Sequence, residues 1–175
     1  MEHKLEISDQ ITAGYHGTTL SEAQEIKRTK FKLTSPNSGA FLGEGVYFFD
    51  NQPSQAKRWA ITRKATPGGT IAVIQSKVRY GRLLNLTDRG HRDILDWFAS
   101  EYRQKANVTV TLPTVIDIVA EKLNVEAVKA IRIPQNATFL MGTGFSADIE
   151  VILAVRNVTN ILSTDIIWSQ MVRSA

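Results

Sequence analysis

Three short segments contain the side chains whose types and spacing could do chemistry. In YHGT at 15–18, the pattern predicts a strand that ends abruptly, so His16 offers an imidazole beside a glycine that lets a ligand approach the backbone. In GEGVYFF at 43–49, strand alternation puts Tyr47 on the face opposite its immediate neighbours, where its ring could lie against a flat nicotinamide or nucleobase. Glu150 opens an otherwise apolar strand, and an acid at that place requires an explanation.

Each of these segments, taken alone, also has a structural explanation. His16 could be a core histidine satisfied by hydrogen bonds, Tyr47 could belong to an aromatic core, and Glu150 could mark an exposed strand end. The three together favour a binding site, because a single cleft would then hold a nucleotide anchor, a ring stack and a negative charge.

The order of these segments resembles the ADP-ribosyltransferase superfamily, in particular the branch with a His-Tyr-Glu triad that is similar to poly(ADP-ribose) polymerases and diphtheria toxin. In that family, His-Gly-Ser/Thr is followed by a helix, a loop, Gly-x-Gly-x-Tyr-Phe, a second helix and, much later, a glutamate that opens a hydrophobic strand. The match covers Tyr15 to about Ala60 well and Phe145 to Leu162 loosely. The resemblance implies an α+β fold with an ADP-ribosyltransferase-like split antiparallel β-sheet core, in which two packed sheets form an NAD cleft with peripheral helices.

The resemblance also implies NAD as the co-substrate, no metal, and a role for each motif residue. His16 would hydrogen-bond the ribose on the adenosine side of NAD, the backbone of Gly17 would clamp the nicotinamide carboxamide, and Thr18 belongs to the same nucleotide-binding motif. Tyr47 would stack beneath the nicotinamide ring. Glu150 would accept a hydrogen bond from the nicotinamide-ribose hydroxyl, so the expected catalytic residues are His16, Tyr47 and Glu150.

The chain departs from the family pattern in the second helix. Family members often have another aromatic residue eleven positions after the tyrosine, whereas Arg58 occupies that position here and Trp59 follows it. We therefore expect Trp59 to form the upper nicotinamide stack, with core packing as the alternative. The family serine that contacts the carboxamide falls on Gln55 without a gap or on Ser54 with a shift of one residue, and Ser54 is the predicted cofactor contact.

The segment before Glu150 is where the family places recognition of the acceptor. Phe145 could stack on a base or side chain, and Ser146 lies in the same predicted loop. Asp148 forms Asp-x-Glu with Glu150, which is similar to the Gln/Glu-x-Glu of another branch, and could orient or deprotonate the nucleophile. An ordinary loop aspartate is the alternative.

The composition fits one compact domain over residues 1–175, with 43% hydrophobic and 22% charged residues. No apolar run approaches the length of a membrane span, and the charged N-terminus MEHKLEISDQ lacks the apolar region of a secretory signal, so we expect a soluble, cytoplasmic protein without a membrane partner. The chain has no cysteine and three histidines, which excludes disulfides and thiolate sites and leaves few metal ligands.

The net charge of +4 favours an anionic partner, so nucleic acid, RNA or DNA, is preferred over protein as the macromolecular acceptor. A small catalytic domain with a basic surface resembles bacterial toxins that attach a single ADP-ribose, which would imply an antitoxin or inhibitor protein. The alternatives are an NAD glycohydrolase, an RNA 2′-phosphotransferase and a non-catalytic module that binds ADP-ribose or nucleic acid. The basic residues that flank the expected site are Lys27, Arg28, Lys30, Lys32, Lys57, Arg58, Arg63 and Lys64.

Helix and strand patterns alternate along the chain, as expected for an α+β domain. Thr19 or Ser21 is expected to cap a helix that starts near Leu20, with a capping box over 21–24. Further helices are predicted over 53–62, 88–105 and 113–123. Strands are predicted over 70–86, as one long or two short elements, and over 127–133, 138–141 and 149–158.

Overall fold

A computed structural model describes residues 4–33, 40–106, 110–134 and 149–173. Within these ranges the chain forms six strands and four α-helices, which confirms a mixed α+β fold. The strands are β1 (Ile7–Thr19), β2 (Val46–Asp50), β3 (Thr70–Asn85), β4 (Ala127–Arg132), β5 (Glu150–Val155) and β6 (Ile161–Met171). The helices are α1 (Leu20–Thr29), α2 (Pro53–Trp59), α3 (Arg89–Ala106) and α4 (Leu112–Leu123).

All six strands belong to one hydrogen-bonded sheet with the order β1-β2-β5-β4-β3-β6, and β1 also pairs with β3. Five strands therefore close into a ring, to which β6 is added along β3. The long strand β3 makes this possible, because residues 70–78 pair with β6 and residues 83–85 pair with β4. Two links of the ring are short: β1 meets β2 at two residue pairs, and β3 meets β4 at three.

The sheet is mainly antiparallel, as expected, but the strands form one sheet and not two packed sheets. Its hydrogen bonding is continuous, and β3 pairs with β4 in parallel while the other pairs are antiparallel. The single long strand over 70–86 and the helices over 88–105 and 113–123 are confirmed as β3, α3 and α4. β6 was not among the predicted strands, and the strand predicted over 138–141 lies outside the described residues.

The two helices that follow β1 and β2 begin at local sequence signals. Thr19 caps α1 and forms a reciprocal capping box with Glu22, so the box lies at 19–22 and not at 21–24. α2 begins at Pro53, where a missing backbone N–H costs nothing, and continues into a π-helical turn over Ala60–Lys64. A π turn is wider than an α turn and often occurs at functional sites.

Two apolar clusters lie on the two faces of β2 and β5. Phe49 and Ile152 belong to the cluster that includes residues of α3 and α4. Phe48 and Leu153 belong to the cluster that includes Ala23 of α1. The helices thus bury both faces of the two strands that carry Tyr47 and Glu150. No helix in the described ranges is both long and apolar enough to cross a membrane.

Candidate functional site

A central cavity of about 280 Å³ is lined by residues of β1, β2 and α2. His16, Gly17, Tyr47 and Trp59, four of the residues predicted to bind NAD, lie together in its wall. This volume is close to the lower end for small-molecule pockets, so the cavity suits one ring system and not a whole dinucleotide. The other lining residues are Ala40, Phe41, Phe48, Phe49, Arg132 and Ile152.

The imidazole of His16 is held by one backbone hydrogen bond. Its Nδ1 lies 2.9 Å from the carbonyl oxygen of Tyr47, which can only accept, so Nδ1 carries the proton. Burial lowers the pKa of His16, against a smaller opposing effect of the Tyr47 carbonyl, and the charge of Lys64 lowers it further. The ring is therefore neutral at pH 7, and its Nε2 can accept a hydrogen bond from a sugar hydroxyl. Edge contacts with Phe31 and Phe48 hold the ring plane.

Gly17 is buried where α2 packs on β1. A side-chain Cβ at this position would overlap the carbonyl oxygen of Ala56, so only glycine allows the helix to come this close. The neighbouring Thr18 is 1% exposed, and its hydroxyl donates a hydrogen bond to Glu22. That bond is the main reason why the pKa of Glu22 is lowered to about 2. Thr18 therefore stabilises the start of α1, and its contact with NAD stays a prediction.

Tyr47 offers a ligand its ring, because its hydroxyl is already bonded to its own loop. The hydroxyl donates to the carbonyl oxygen of Gly43 at 2.7 Å and accepts from the backbone nitrogen of Leu42 at 2.8 Å. Partial burial raises the pKa of Tyr47, so the phenol stays protonated at neutral pH. This arrangement suits ring stacking and not proton transfer.

Glu150 is the first residue of β5 and is 8% exposed. Tyr47 pairs with Ala154 across β2 and β5, so Tyr47 and Glu150 share one face of the sheet, about 13 Å apart along the strand direction. The Glu150 carboxylate is bound by Arg132 of β4, whose Nε and Nη2 lie 2.7 and 2.6 Å from Oε2. Glu150 is therefore a buried, paired acid and not an exposed strand end.

Trp59 and Arg132 contact each other in the wall of the central cavity. The guanidinium carbon of Arg132 lies 5.9 Å from the ring centres of both Phe41 and Trp59, so this cation contacts two aromatic rings. The Trp59 ring also lies 6.2 Å from that of Phe49 and 5.6 Å from the guanidinium carbon of Arg63. These contacts hold the indole at the edge of the cavity, where its role as the upper stack stays a prediction.

Two further cavities adjoin the central one. The first, which we call the α1 cavity, has a volume of about 550 Å³ and shares His16 and Tyr47 with the central cavity. The second, which we call the arginine cavity, has a volume of about 690 Å³, contains Glu150, and shares Trp59 and Arg132 with the central cavity. The α1 cavity is also lined by Thr18, Ser21, Glu22, Glu25, Ile26, Thr29, Lys30, Phe31, Lys32, Val46 and Lys64. The arginine cavity is also lined by Arg58, Thr62, Arg63, Ile133 and Pro134.

Four of the predicted contacts are not placed in these cavities. Ser54 is exposed on α2 and is not among the described residues that line them, while Gln55 is buried. The one-residue shift that selected Ser54 therefore receives no support from the geometry of the helix. The acceptor residues Phe145, Ser146 and Asp148 lie outside the described residues, so their roles stay predictions.

Two residues of the site were not identified from the sequence. Arg132 ends the strand AVKAIR on the same face as the buried Val128 and Ala130, and a cation on a buried face is a signal for a charged partner. Gln52 binds the start of β5, where its Nε2 donates to the carbonyl oxygen of Ile149 at 2.9 Å and its Oε1 accepts from the nitrogen of Val151 at 2.7 Å. No local pattern distinguishes Gln52 from an ordinary loop glutamine.

Among the described residues, no three His, Cys, Asp or Glu side chains are grouped closely enough to hold a metal ion. Comparison of the chain with models of known protein families gives no match, and comparison with curated proteins gives no significant match.

Proposed function

We propose that this chain is an NAD-dependent ADP-ribosyltransferase that releases nicotinamide and transfers a single ADP-ribose to a macromolecule, with nucleic acid preferred over protein. The observation that carries the proposal is the succession of three adjoining cavities. His16 and Tyr47 connect the α1 cavity to the central cavity, and Trp59 connects the central cavity to the one that contains Glu150. A sugar-binding imidazole, a stacking ring and an acid therefore lie along one path.

The arrangement of elements supports an ADP-ribosyltransferase-like fold. The proposed triad residues lie on three strands of the ring, His16 on β1, Tyr47 on β2 and Glu150 on β5, in the order that the resemblance implies. A helix follows each of the first two strands, and β2 lies between β1 and β5 in the sheet. The strand that carries Tyr47 is thus hydrogen-bonded to both of the strands that carry the other two residues.

In this proposal NAD occupies the central and α1 cavities. The nicotinamide ring lies on Tyr47 in the central cavity, and a hydroxyl of the ribose on the adenosine side donates a hydrogen bond to Nε2 of His16. The adenosine half extends into the α1 cavity, where Lys30, Lys32 and Lys64 supply positive charge for the pyrophosphate. Three lysines and a ring stack suit a ligand that is anionic at its centre and planar at its ends.

The reaction needs little more than positioned charge. The nicotinamide of NAD is cationic, so when its bond to ribose C1 breaks it leaves as a neutral molecule with the bonding electron pair and needs no general acid. Positive charge then grows on the sugar, and the Glu150 carboxylate stabilises it while accepting a hydrogen bond from the ribose hydroxyl. An oxygen or nitrogen of the acceptor forms the new bond to C1 and releases its proton to water or to a neighbouring carboxylate.

Labelled NAD and a whole-cell lysate test this proposal directly. After incubation with the protein, separate portions are treated with protease and with ribonuclease or deoxyribonuclease. We expect release of nicotinamide and label that is lost on nuclease treatment. Label that is lost only with protease would move the acceptor to protein. Nicotinamide release without any labelled macromolecule would mean that the protein hydrolyses NAD and does not transfer ADP-ribose. If neither nicotinamide nor a labelled macromolecule is formed, the proposal of an NAD-consuming enzyme is contradicted.

The two remaining alternatives have their own signatures. A 2′-phosphotransferase would convert 2′-phosphorylated RNA and NAD into a cyclic ADP-ribose phosphate, which chromatography separates from ADP-ribose. A non-catalytic module would bind ADP-ribose in calorimetry and leave NAD intact.

If the protein is a toxin, its induced expression should arrest the growth of a bacterial host, and expression of the E150Q variant should not.

A further inference from the structure

We infer that the arginine cavity is the acceptor subsite and binds a phosphate of a single-stranded nucleic acid, an inference that rests on the proposed function. The starting observation is the composition of this cavity. Three guanidinium groups, those of Arg58, Arg63 and Arg132, line it together with one carboxylate, that of Glu150. Among the described residues that line the cavity, three guanidinium groups therefore stand against one carboxylate, so these lining residues carry a net positive charge.

The end of α2 determines where these cations lie. Arg58 and Trp59 are its last two residues, and the π-helical turn that follows carries Thr62 and Arg63. The wide turn puts Arg63 over the Trp59 ring, with 5.6 Å between its guanidinium carbon and the ring centre. The cation and the aromatic ring are thus presented together on the wall of one cavity.

This pairing of groups favours nucleic acid over an acidic peptide. A guanidinium binds two phosphate oxygens at once through its planar fork of N–H donors. Aromatic rings beside a positively charged groove are the usual means of holding an unpaired strand, since a base can stack on the ring while cations follow its backbone. Trp59 lies beside Arg63 and Arg132 and supplies such a ring. An acidic peptide would bind the arginines but has no base to stack on the Trp59 ring.

The position of the cavity separates it from the NAD pyrophosphate. In the proposed binding mode, the pyrophosphate lies toward the α1 cavity, which shares lining residues with the central cavity only at His16 and Tyr47. The arginine cavity shares a different pair of lining residues with the central one, Trp59 and Arg132, and none with the α1 cavity. An acceptor held there approaches the ribose carbon from the side of Glu150, as the reaction requires.

Binding of a short fluorescent single-stranded RNA or DNA tests the subsite without catalysis. The protein carries E150Q to prevent turnover, and R58Q/R63Q is compared with R79Q, a control at an exposed arginine of β3 that does not line the arginine cavity. In fluorescence anisotropy we expect R58Q/R63Q to weaken binding by about tenfold or more, since each arginine contributes a charged hydrogen bond. The slope of log K against log salt should fall by about 0.7 for each lost phosphate contact.

Steady-state kinetics of the enzyme with intact Glu150 give a second readout. We expect the same double variant to raise KM for the nucleic acid while KM for NAD stays unchanged. An equal rise in KM for NAD would assign the arginines to the pyrophosphate and overturn the inference. Unaltered binding of the oligonucleotide to R58Q/R63Q would also overturn the inference. The same holds if polyglutamate displaces the fluorescent oligonucleotide as well as an unlabelled oligonucleotide does. Failure of the parent protein to consume NAD would contradict the proposed function alone, because the anisotropy measurement does not depend on it.

Discussion

Arg132 lies directly opposite Glu150 in the antiparallel pairing of β4 with β5, and two of its guanidinium nitrogens bind the same carboxylate oxygen. This ion pair determines which substitution best tests the role of the Glu150 carboxylate. In E150Q the amide oxygen still accepts from Arg132, whereas Glu150→Ala removes both the counter-charge and the hydrogen-bond acceptor of the partly buried guanidinium. Glutamine therefore removes the charge and keeps the hydrogen bond.

We expect E150Q to lower the rate of nicotinamide release by about 10²–10³-fold, the usual loss when one stabilising group for a charged transition state is removed. Its melting temperature should stay close to that of the parent, and circular dichroism checks this. E101Q is the matched control, because Glu101 lies on α3 in a surface pair with Lys105. Parent-like turnover in E150Q would remove Glu150 from the mechanism.

The two roles of Tyr47 can be separated by two substitutions. Tyr47→Phe keeps the ring but leaves the Leu42 nitrogen and the Gly43 carbonyl without their partner, so we expect a loss of about 1–2 kcal/mol in stability and little change in NAD affinity. Tyr47→Ala also removes the ring, and the dissociation constant for NAD should rise by about 5- to 150-fold, the value of one stacked base.

Titration calorimetry in the E150Q background measures the NAD affinity of both Tyr47 variants without consumption of NAD, and thermal unfolding measures their stability. The exposed Tyr102 of α3 provides the control variant Tyr102→Ala. If Tyr47→Ala bound NAD with parent affinity, the ring could not be part of the binding site.

The neutral His16 predicts a specific pH dependence of stability. Burial lowers its pKa in the folded protein below the unfolded value of 6.5. As the pH falls below 6.5, the unfolded chain takes up a proton that the folded protein does not, so the free energy of unfolding decreases by at most about 1.4 kcal/mol per pH unit until the folded pKa is reached.

Urea unfolding between pH 7 and pH 5 measures this loss, and His16→Gln should flatten the curve in that window. Glu22 acts in a different window: its pKa of about 2 lies below its ordinary value of 4.5, so its contribution is lost only as the pH falls from 4.5 toward 2. An identical slope in the parent and in His16→Gln between pH 7 and pH 5 would mean that His16 does not titrate with unfolding.

Gly17→Ala should separate α2 from β1. Because the added methyl group would overlap a main-chain oxygen, no side-chain rotation can relieve it, and we expect a loss of at least about 2 kcal/mol in stability. Gly90→Ala is the control, since its methyl group would meet only a side-chain oxygen of Asp88 at 3.2 Å in the first turn of α3. Because that oxygen also accepts a hydrogen bond from the backbone nitrogen of His91, the variant should change stability by less than about 1 kcal/mol in either direction. Thermal unfolding should therefore show a much larger loss in Gly17→Ala than in Gly90→Ala.

Asp50 lies on the face of β2 opposite to that of Tyr47. It is 4% exposed, accepts hydrogen bonds from Thr12 and Tyr80, and lies 2.6 Å from the ammonium nitrogen of Lys129. Asp50→Asn leaves this lysine without its counter-charge, and we expect a loss of about 3 kcal/mol in denaturant unfolding. Lys129→Met in the same chain should recover part of the loss. NAD affinity of the folded fraction should be unchanged, and a large loss of affinity would show that Asp50 acts on the cleft.

Local patterns in the sequence predict the elements whose neighbours are close along the chain. α3, α4 and β3 follow from hydrophobic periodicity. The motif residues His16, Gly17, Tyr47 and Trp59 meet in one cavity because their elements lie within the run β1-α1-β2-α2 at the start of the chain. β6 was missed because its apolar residues are mixed with polar ones and most of its side chains are only partly buried or exposed.

The missing parts of the site depend on contacts between distant segments. Arg132 matters because β4 and β5 align it with Glu150, and a strand register cannot be read from either strand alone. Whether the predicted residues Ser54 and Trp59 face the site depends on which side of α2 packs on β1, and that orientation is set by the close contact at Gly17. The position of Arg63 depends on the π turn, for which the sequence has no signal.

The strand of His16 and the strand of Tyr47 are joined at only two residue pairs, Gly14 with Asp50 and Tyr15 with Phe49, whereas β1 and β3 are joined at eleven. Local opening between β1 and β2 therefore costs far less than detachment of β1 from β3. Amide hydrogens along this seam should exchange with solvent by a low-energy opening that leaves the rest of the sheet intact. A dinucleotide that bridges the two strands would close the seam, and the slowing of exchange there would report ligand occupancy through RT ln(1 + [L]/Kd).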